Sequence, residues 1–314
     1  MGALNDFSPH EVIVHSSPEG LADEVAAIVK LTHQFKHGLV DSADLDPLAT
    51  EDIPAFREAV EQAAPRFFHF AQAVKIRLLQ GAMAVFVEKL GLEDLPLSQR
   101  RYGLFALGCL LGAPTATDPR QKRVLWDVKA RRSPSDHFVT FSEHDREARF
   151  HTDTQYYANP ERFFLLYAVR AARCGGGLNF FASGPRILRE LGRSQAGYKA
   201  FNVLNSVTMP FRIPTTFAHG DEAEHTWAPV ISAFPLLRYR EDTIFDGEAR
   251  FPDLPWREVK DALKAFHETA TKLATNEMAL PDDGAIFVNN HEALHARTAF
   301  KDPDRHLIRV RMHA

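Results

Sequence analysis

Leu21, Val25, Ile28 and Val29 recur at the three- and four-residue spacing of a helix, and Gly38 offers a stop. Pro54 and Pro65 each stand near the start of a further helical stretch, the second running to Leu79 and Gly81. Residues 1–100 therefore read mostly as a helical flank. From about Phe138 the pattern shortens into extended runs: Phe138-Ser142, Phe150-Thr154, Phe163-Val169, Leu178-Phe181, Ile286-Asn289 and Leu307-Met312. The run from Arg162 to Val169 is apolar on both faces, which predicts a central strand with helices over one side and a packed interior on the other. A helical stripe returns between Trp256 and about Asn276, with Val259, Leu263 and Phe266 on one face. Pro281-Asp282-Asp283-Gly284 then turns the chain into its last strands. Without a repeat, a low-complexity tract or a linker, the 314 residues are expected to form a single domain, 1–314, with its core from about 103 onward.

With 45% apolar residues the chain can fill a substantial core. A net charge of -4 argues against nucleic acid or an anionic membrane as partner, since both need a clustered positive field, and leaves a small-molecule substrate. Neither a basic, apolar leader nor a run of eighteen apolar residues is present, so a cytoplasmic location is expected. Cys109 and Cys174 are too few and too ill-spaced for a disulfide framework or a thiolate zinc site. Oligomeric state cannot be read from the pattern.

The chemistry concentrates in two separated motifs. In an extended His151-Thr152-Asp153 the side chains of His151 and Asp153 point to one side and Thr152 to the other, so an imidazole and a carboxylate can share a metal ion. A second imidazole, from His295, completes the two-histidine, one-carboxylate face of non-heme Fe(II) oxygenases, with three coordination positions left open. His291 competes for that role, but only His295 is flanked by Leu294 and Arg297-Thr298. A dicarboxylate cosubstrate also needs a cation at its far end. In Arg305-His306-Leu307-Ile308-Arg309-Val310-Arg311-Met312 the even positions Ile308, Val310 and Met312 are apolar and the odd positions carry three arginines, of which Arg309 is the natural candidate.

Other clusters are weaker. His33 and His37 lie four apart on a predicted helix and read as a solvent-facing pair rather than a zinc site. The stretch holding Arg120, Lys122, Arg123, Lys129, Arg131 and Arg132 reads as a solvated loop. The segment Ser133-Arg149, just before the first ligand, is placed to cover a substrate, and Thr140 and Ser142 could point into the pocket. Arg212, Arg238 and Arg240 are candidates for gripping a substrate carboxylate, with surface ion pairing as the alternative.

His151-Thr152-Asp153, the glycine run Cys174-Gly175-Gly176-Gly177, Leu294-His295-Ala296-Arg297-Thr298-Ala299-Phe300 and Arg305-His306-Leu307-Ile308-Arg309 together resemble the Fe(II)/2-oxoglutarate oxygenases of the taurine dioxygenase and clavaminate synthase group. The resemblance runs from about Gly103 to the C-terminus. It implies an α+β fold with a distorted double-stranded β-helix, a jelly-roll relative, at its core and helices outside. It also implies Fe(II), 2-oxoglutarate and O2 as cofactor and cosubstrates, with His151, Asp153 and His295 as iron ligands. Arg309 would bind the distal carboxylate of 2-oxoglutarate, with Arg305 nearby. Asn179 occupies the slot where the group commonly has threonine, and its amide can still donate to a carboxylate. Asp153 disfavours halogenation, because iron halogenases of this superfamily carry a small residue there. The implied reaction oxidises, most simply hydroxylates, an unactivated C–H bond of a small polar molecule, with a free or modified amino acid of specialised metabolism as the first expectation. Desaturation or cyclisation by the same oxidant, or a non-catalytic jelly roll holding a metal or metabolite, are the alternatives.

Overall fold

The computed structural model describes residues 11–117, 122–130, 140–214, 217, 224–232 and 236–314. The chain opens with β1 (Val12–His15), α1 (Leu21–Phe35), α2 (Asp52–Ala63), α3 (Pro65–Leu79), β2 (Ala84–Val87) and α4 (Leu97–Leu111). Helix α1 buries Leu21, Val25 and Ile28 on one stripe, and α3 starts on Pro65, whose missing N–H is no loss in the first turn. Helix α4 carries no such stripe: every residue from Arg101 to Leu111 is buried, as expected for a helix enclosed on all sides. Gly108 makes that enclosure possible, because a Cβ there would meet Val310 at 2.8 Å. The flank is thus mostly helical, but β1 and β2 add two strands that the apolar pattern did not reveal.

The second part holds β3 (Ala113–Pro114), β4 (Trp126–Val128), β5 (Ala148–His151), β6 (Phe163–Arg170), β7 (Asn179–Ser183), α5 (Gly184–Leu191) and α6 (Gln195–Ser206). It continues through β8 (Met209–Arg212), β9 (His225–Ala228), α7 (Glu241–Phe245), α8 (Trp256–Lys272), β10 (Ala285–Asn289), β11 (Ala293–Arg297) and β12 (His306–His313). Thr140–Ser142, expected to be extended, lies outside any strand; Phe138 and Val139 fall outside the described residues. Among the described residues no helix is long and apolar enough to cross a membrane.

One sheet runs β1-β2-β10-β6-β12-β3, with β4 also paired to β12; a second runs β5-β11-β7, and β8-β9 is a hairpin. Pairing is antiparallel except between β1 and β2. The large sheet divides two cores by the two-residue alternation of its strands. Phe163, Leu165 and Tyr167 of β6, Phe287 of β10, and Ile308, Val310 and Met312 of β12 join α1–α4. Phe164 and Ala168 of β6, Ile286 and Val288 of β10, and Leu307 of β12 face the other way, toward the core that includes the small sheet and α8. Burying each large apolar side chain of this kind contributes about 1.5–3 kcal/mol. The mixed α/β architecture therefore leaves one inner face of β12, that of Leu307, Arg309 and Arg311, turned toward the strands that carry the histidines.

Candidate metal centre and its two cavities

The β5–β11 register pairs His151 directly with His295, so the two imidazoles stand side by side with ring centroids 4.0 Å apart. A one-residue slip of either strand would turn its histidine to the opposite face. Asp153 follows two residues after His151 and completes a group whose ligand atoms all lie within 4.8 Å of one another. Asp153 Oδ1 is 3.8 Å from His151 Nε2 and 3.7 Å from His295 Nε2. Adjacent octahedral ligands on a divalent ion stand roughly 3 Å apart, so a metal needs only a small contraction of this face.

Local hydrogen bonds fix each group. Thr152 turns away, as alternation requires: its N–H donates to the Tyr239 carbonyl and its hydroxyl accepts from the Tyr239 N–H. Asn290 brackets the ligand, accepting from the Asp153 N–H at 2.7 Å and donating to the Asp153 carbonyl at 3.0 Å and the Glu161 carbonyl at 2.8 Å. The chain then reverses through Thr154 at φ 54°. His151 Nδ1 is 2.8 Å from the Arg149 carbonyl, which assigns the proton to Nδ1 and leaves Nε2 as a lone-pair donor. Burial, reinforced by His295, pushes the His151 pKa well below its ordinary value, so the ring is neutral and fit to ligate. Burial alone would raise the Asp153 carboxyl, but the Arg309 guanidinium beside it holds it well below the usual range. With a neutral His151 imidazole and an ionised Asp153, the face offers the nitrogen and carboxylate donors that a divalent iron takes.

Two cavities meet at this centre. The larger, about 490 Å³ of empty space, is lined by His295, Asn179, Arg297, Arg305 and Arg309 among others. Arg305 is 4% exposed, and its Nη1 has no hydrogen-bond partner. A buried guanidinium N–H without an acceptor is a donor that an anion would satisfy. The smaller, about 290 Å³, is lined by Thr140, Ser142, Gln155, Arg240, Arg309 and Arg311 with His151 and Asp153. Arg309 belongs to both walls.

The glycine run is explained by the same geometry. Gly175 and Gly177 adopt φ 76°, and a Cβ on Gly176 would lie 2.2 Å from the Ala299 carbonyl. The β6–β7 turn thus lies directly against the segment that leads from His295 to Arg305.

Not every expected residue arrives at the site. Arg212 lines neither cavity; it pairs with Asp246 and Glu224 beside the β8–β9 hairpin. Arg238 donates to the carbonyls of Gln155, Tyr157 and Ala158, which fastens the loop after Asp153 rather than facing substrate. His291 contacts the Pro160 carbonyl at 3.0 Å and lies outside the metal group. His33 bonds Tyr102 at 2.9 Å instead of facing solvent alone, and Arg123 pairs with Asp44. Arg120, Arg131, Arg132 and Ser133–Val139 fall outside the described residues. The sequence reading passed over Asn290 and the clamping role of Arg297, whose guanidinium donates to the carbonyls of Phe141, His144 and Arg146. Their only sequence signal is proximity to the second ligand motif.

Comparison with known proteins places the chain in a family. Residues 28–311 match the model of the taurine catabolism dioxygenase TauD, TfdA family, and the chain belongs to that family. It is an oxidoreductase, a dioxygenase that uses Fe(II), 2-oxoglutarate and O2. No curated protein sequence matches the chain. Among solved structures it is similar to asparagine oxygenase in complex with Fe(II), 2S,3S-3-hydroxyasparagine and succinate, at TM-score 0.72 and 18% identity over 97% of this chain and 93% of that one. It is also similar to the non-heme iron oxygenase OrfP in complex with Fe and alpha-ketoglutaric acid, at TM-score 0.67 and 15% identity over 96% and 94%. At these identities the likeness speaks to the fold.

Proposed function

We propose that the protein hydroxylates a free or modified amino acid, with iron held by His151, Asp153 and His295. The observation that carries the reading is the three-ligand face open to two cavities, one lined by a buried guanidinium whose Nη1 has no hydrogen-bond partner. Solved neighbours support the substrate class: one is bound to 3-hydroxyasparagine with succinate, another to (3S)-hydroxy-L-Arg with succinate. The two facing sheets are read as halves of a distorted double-stranded β-helix. The chain is read as one domain, supported by β1 pairing with β2 and β2 with β10 in the large sheet.

Iron with 2-oxoglutarate and O2 supplies an oxidant that removes a substrate hydrogen as 2-oxoglutarate becomes succinate and CO2. The chain's own residues position the reactants. Arg305, with its unpartnered Nη1, and Asn179 provide donors for the distal carboxylate of 2-oxoglutarate in the larger cavity. That role was expected first of Arg309. Arg309 lines both cavities and stands 2.8 Å from Asp153, and we propose that it meets the substrate carboxylate. Thr140 and Ser142, hydrogen-bonded to each other at 2.7 Å, give the smaller cavity a polar wall.

The test is anaerobic addition of Fe(II) and 2-oxoglutarate, which should give a visible charge-transfer band, followed by a succinate assay across amino acids with mass spectrometry of the products. A gain of one oxygen supports hydroxylation. Absence of the band, or a metal removable only with loss of folding, would overturn the reading.

A further inference from the structure

We infer that Arg240 selects the substrate, and that the smaller cavity takes an amino acid whose side chain ends in an anionic group. The inference rests on the amino-acid reading above and narrows it. Arg240 is 5% exposed and lines the cavity that also holds Asp153 and Arg309. Its position is fixed twice over. Nε and Nη2 each donate to the Asp242 carboxylate at 2.8 Å, and the guanidinium carbon lies 3.9 Å from the centroid of Phe141. Phe141 in turn meets the His151 ring edge-on at 4.6 Å. One aromatic ring therefore separates this cation from a proposed iron ligand, a spacing suited to the short side chain of a small substrate.

The charge on the wall is one-sided. Arg240, Arg309 and Arg311 line the cavity against a single carboxylate among the described lining residues, Asp153, which Arg309 engages. Glu161 balances Arg311 from behind, where the Thr115 and Thr154 hydroxyls also hold it. Asp242 balances Arg240, but its side chain is 44% exposed, so water screens the anion while the cation stays buried. A lysine- or arginine-like side chain would bring a positive charge to a wall that already carries three arginines. An amide would offer the guanidinium a neutral acceptor, a weaker bond than a second carboxylate makes. A substrate with a carboxylate at each end satisfies both walls, the α-carboxylate on Arg309 and the side-chain anion on Arg240.

The experiment uses the anaerobic Fe(II)–2-oxoglutarate complex, titrated with L-aspartate, L-glutamate, L-asparagine, L-glutamine and L-arginine while the absorption band is followed. An acidic amino acid should perturb the band with an apparent Kd on the order of tenfold below that of its amide and of arginine. In Arg240→Gln that preference should collapse, and in Arg240→Lys part of it should return, which a loss of packing alone would not produce. An amide or arginine that binds as tightly as the acids, a band unmoved by either acid, or an unchanged preference in Arg240→Gln overturns the inference. Failure of the underlying reading is distinct: the band is then absent before any amino acid is added.

Discussion

The guanidinium of Arg309 lies 2.8 Å from Oδ2 of Asp153, while Oδ1 of the same carboxylate faces both histidine nitrogens at 3.7 and 3.8 Å. One oxygen is thus engaged by a cation, and the other is the one that would hold a metal. Asp153→Ala should bind little iron and give no succinate. Arg309→Ala should retain iron with an affinity weakened about 10- to 100-fold and lose amino-acid-dependent succinate formation. Metal content by mass spectrometry, read beside the succinate assay, separates the two effects; normal turnover in Arg309→Ala would contradict its place at the substrate.

Arg305 and Arg309 are four residues apart near and on β12, yet they should fail differently. Arg305 lines the larger cavity and its buried Nη1 has no hydrogen-bond partner, so Arg305→Gln should raise the KM for 2-oxoglutarate on the order of 100-fold with iron content unchanged. Asn179→Ala should raise it less, since a neutral amide makes a weaker bond to a carboxylate. A KM unaffected in Arg305→Gln would return the distal carboxylate to Arg309.

The metal face was legible in the sequence because strand alternation is local: His151 and Asp153 declare their shared side within three residues, and the register of β11 only had to bring His295 opposite. The arginines were harder. Spacing singled out Arg309 for the cosubstrate, but its 2.8 Å contact with the Asp153 carboxylate is a tertiary fact that spacing does not contain. Arg212 and Arg238 illustrate the same limit, since their partners, Asp246 and the carbonyls after Asp153, are 34 and about 80 residues distant. Helix α4 escaped for an opposite reason: burial on every side erases the stripe by which helices are recognised. Strands β1 and β2 are four residues each, too short for alternation to stand out.

Far from the iron, Asp283 ties the β10 entry to the flank. It sits at φ 62°, 1% exposed, accepting hydrogen bonds from the Gly91 and Leu92 N–H groups and from the Tyr167 hydroxyl at 2.7 Å. Burial, with the Glu93 carboxyl beside it, raises its pKa from 3.8 to about 6. In that interval the folded chain keeps a proton that the unfolded chain has lost, so this group's contribution to stability falls as pH rises through it. Asp283→Asn, which tolerates the left-handed backbone, should remove that slope. The difference in Tm between wild type and Asp283→Asn should therefore shrink by a few degrees between pH 4.5 and 6.5. A difference that is flat or grows with pH would contradict the assignment.

Phe300 is held between two buried arginines, with the Arg297 guanidinium 4.7 Å and the Arg305 guanidinium 4.6 Å from its ring centroid. Both line the larger cavity, and burial lowers their pKa values to about 9 and about 10, Arg305 adding repulsion at Arg297. Arg297 spends its donors on the carbonyls of Phe141, His144 and Arg146, while the Phe300 N–H donates to the Asp145 carbonyl at 2.9 Å. The segment that supplies Thr140, Phe141 and Ser142 to the substrate cavity is therefore anchored to the strand of His295. An anion arriving at Arg305 offsets the repulsion and should tighten that anchor. Hydrogen exchange in 140–147 should slow when 2-oxoglutarate binds the wild-type Fe(II) enzyme. Arg297→Met should still bind 2-oxoglutarate but lose the protection, and its KM for the amino acid should rise about tenfold while kcat changes less. If 2-oxoglutarate binds the wild type without slowing exchange in this segment, the two cavities are not linked through Phe300.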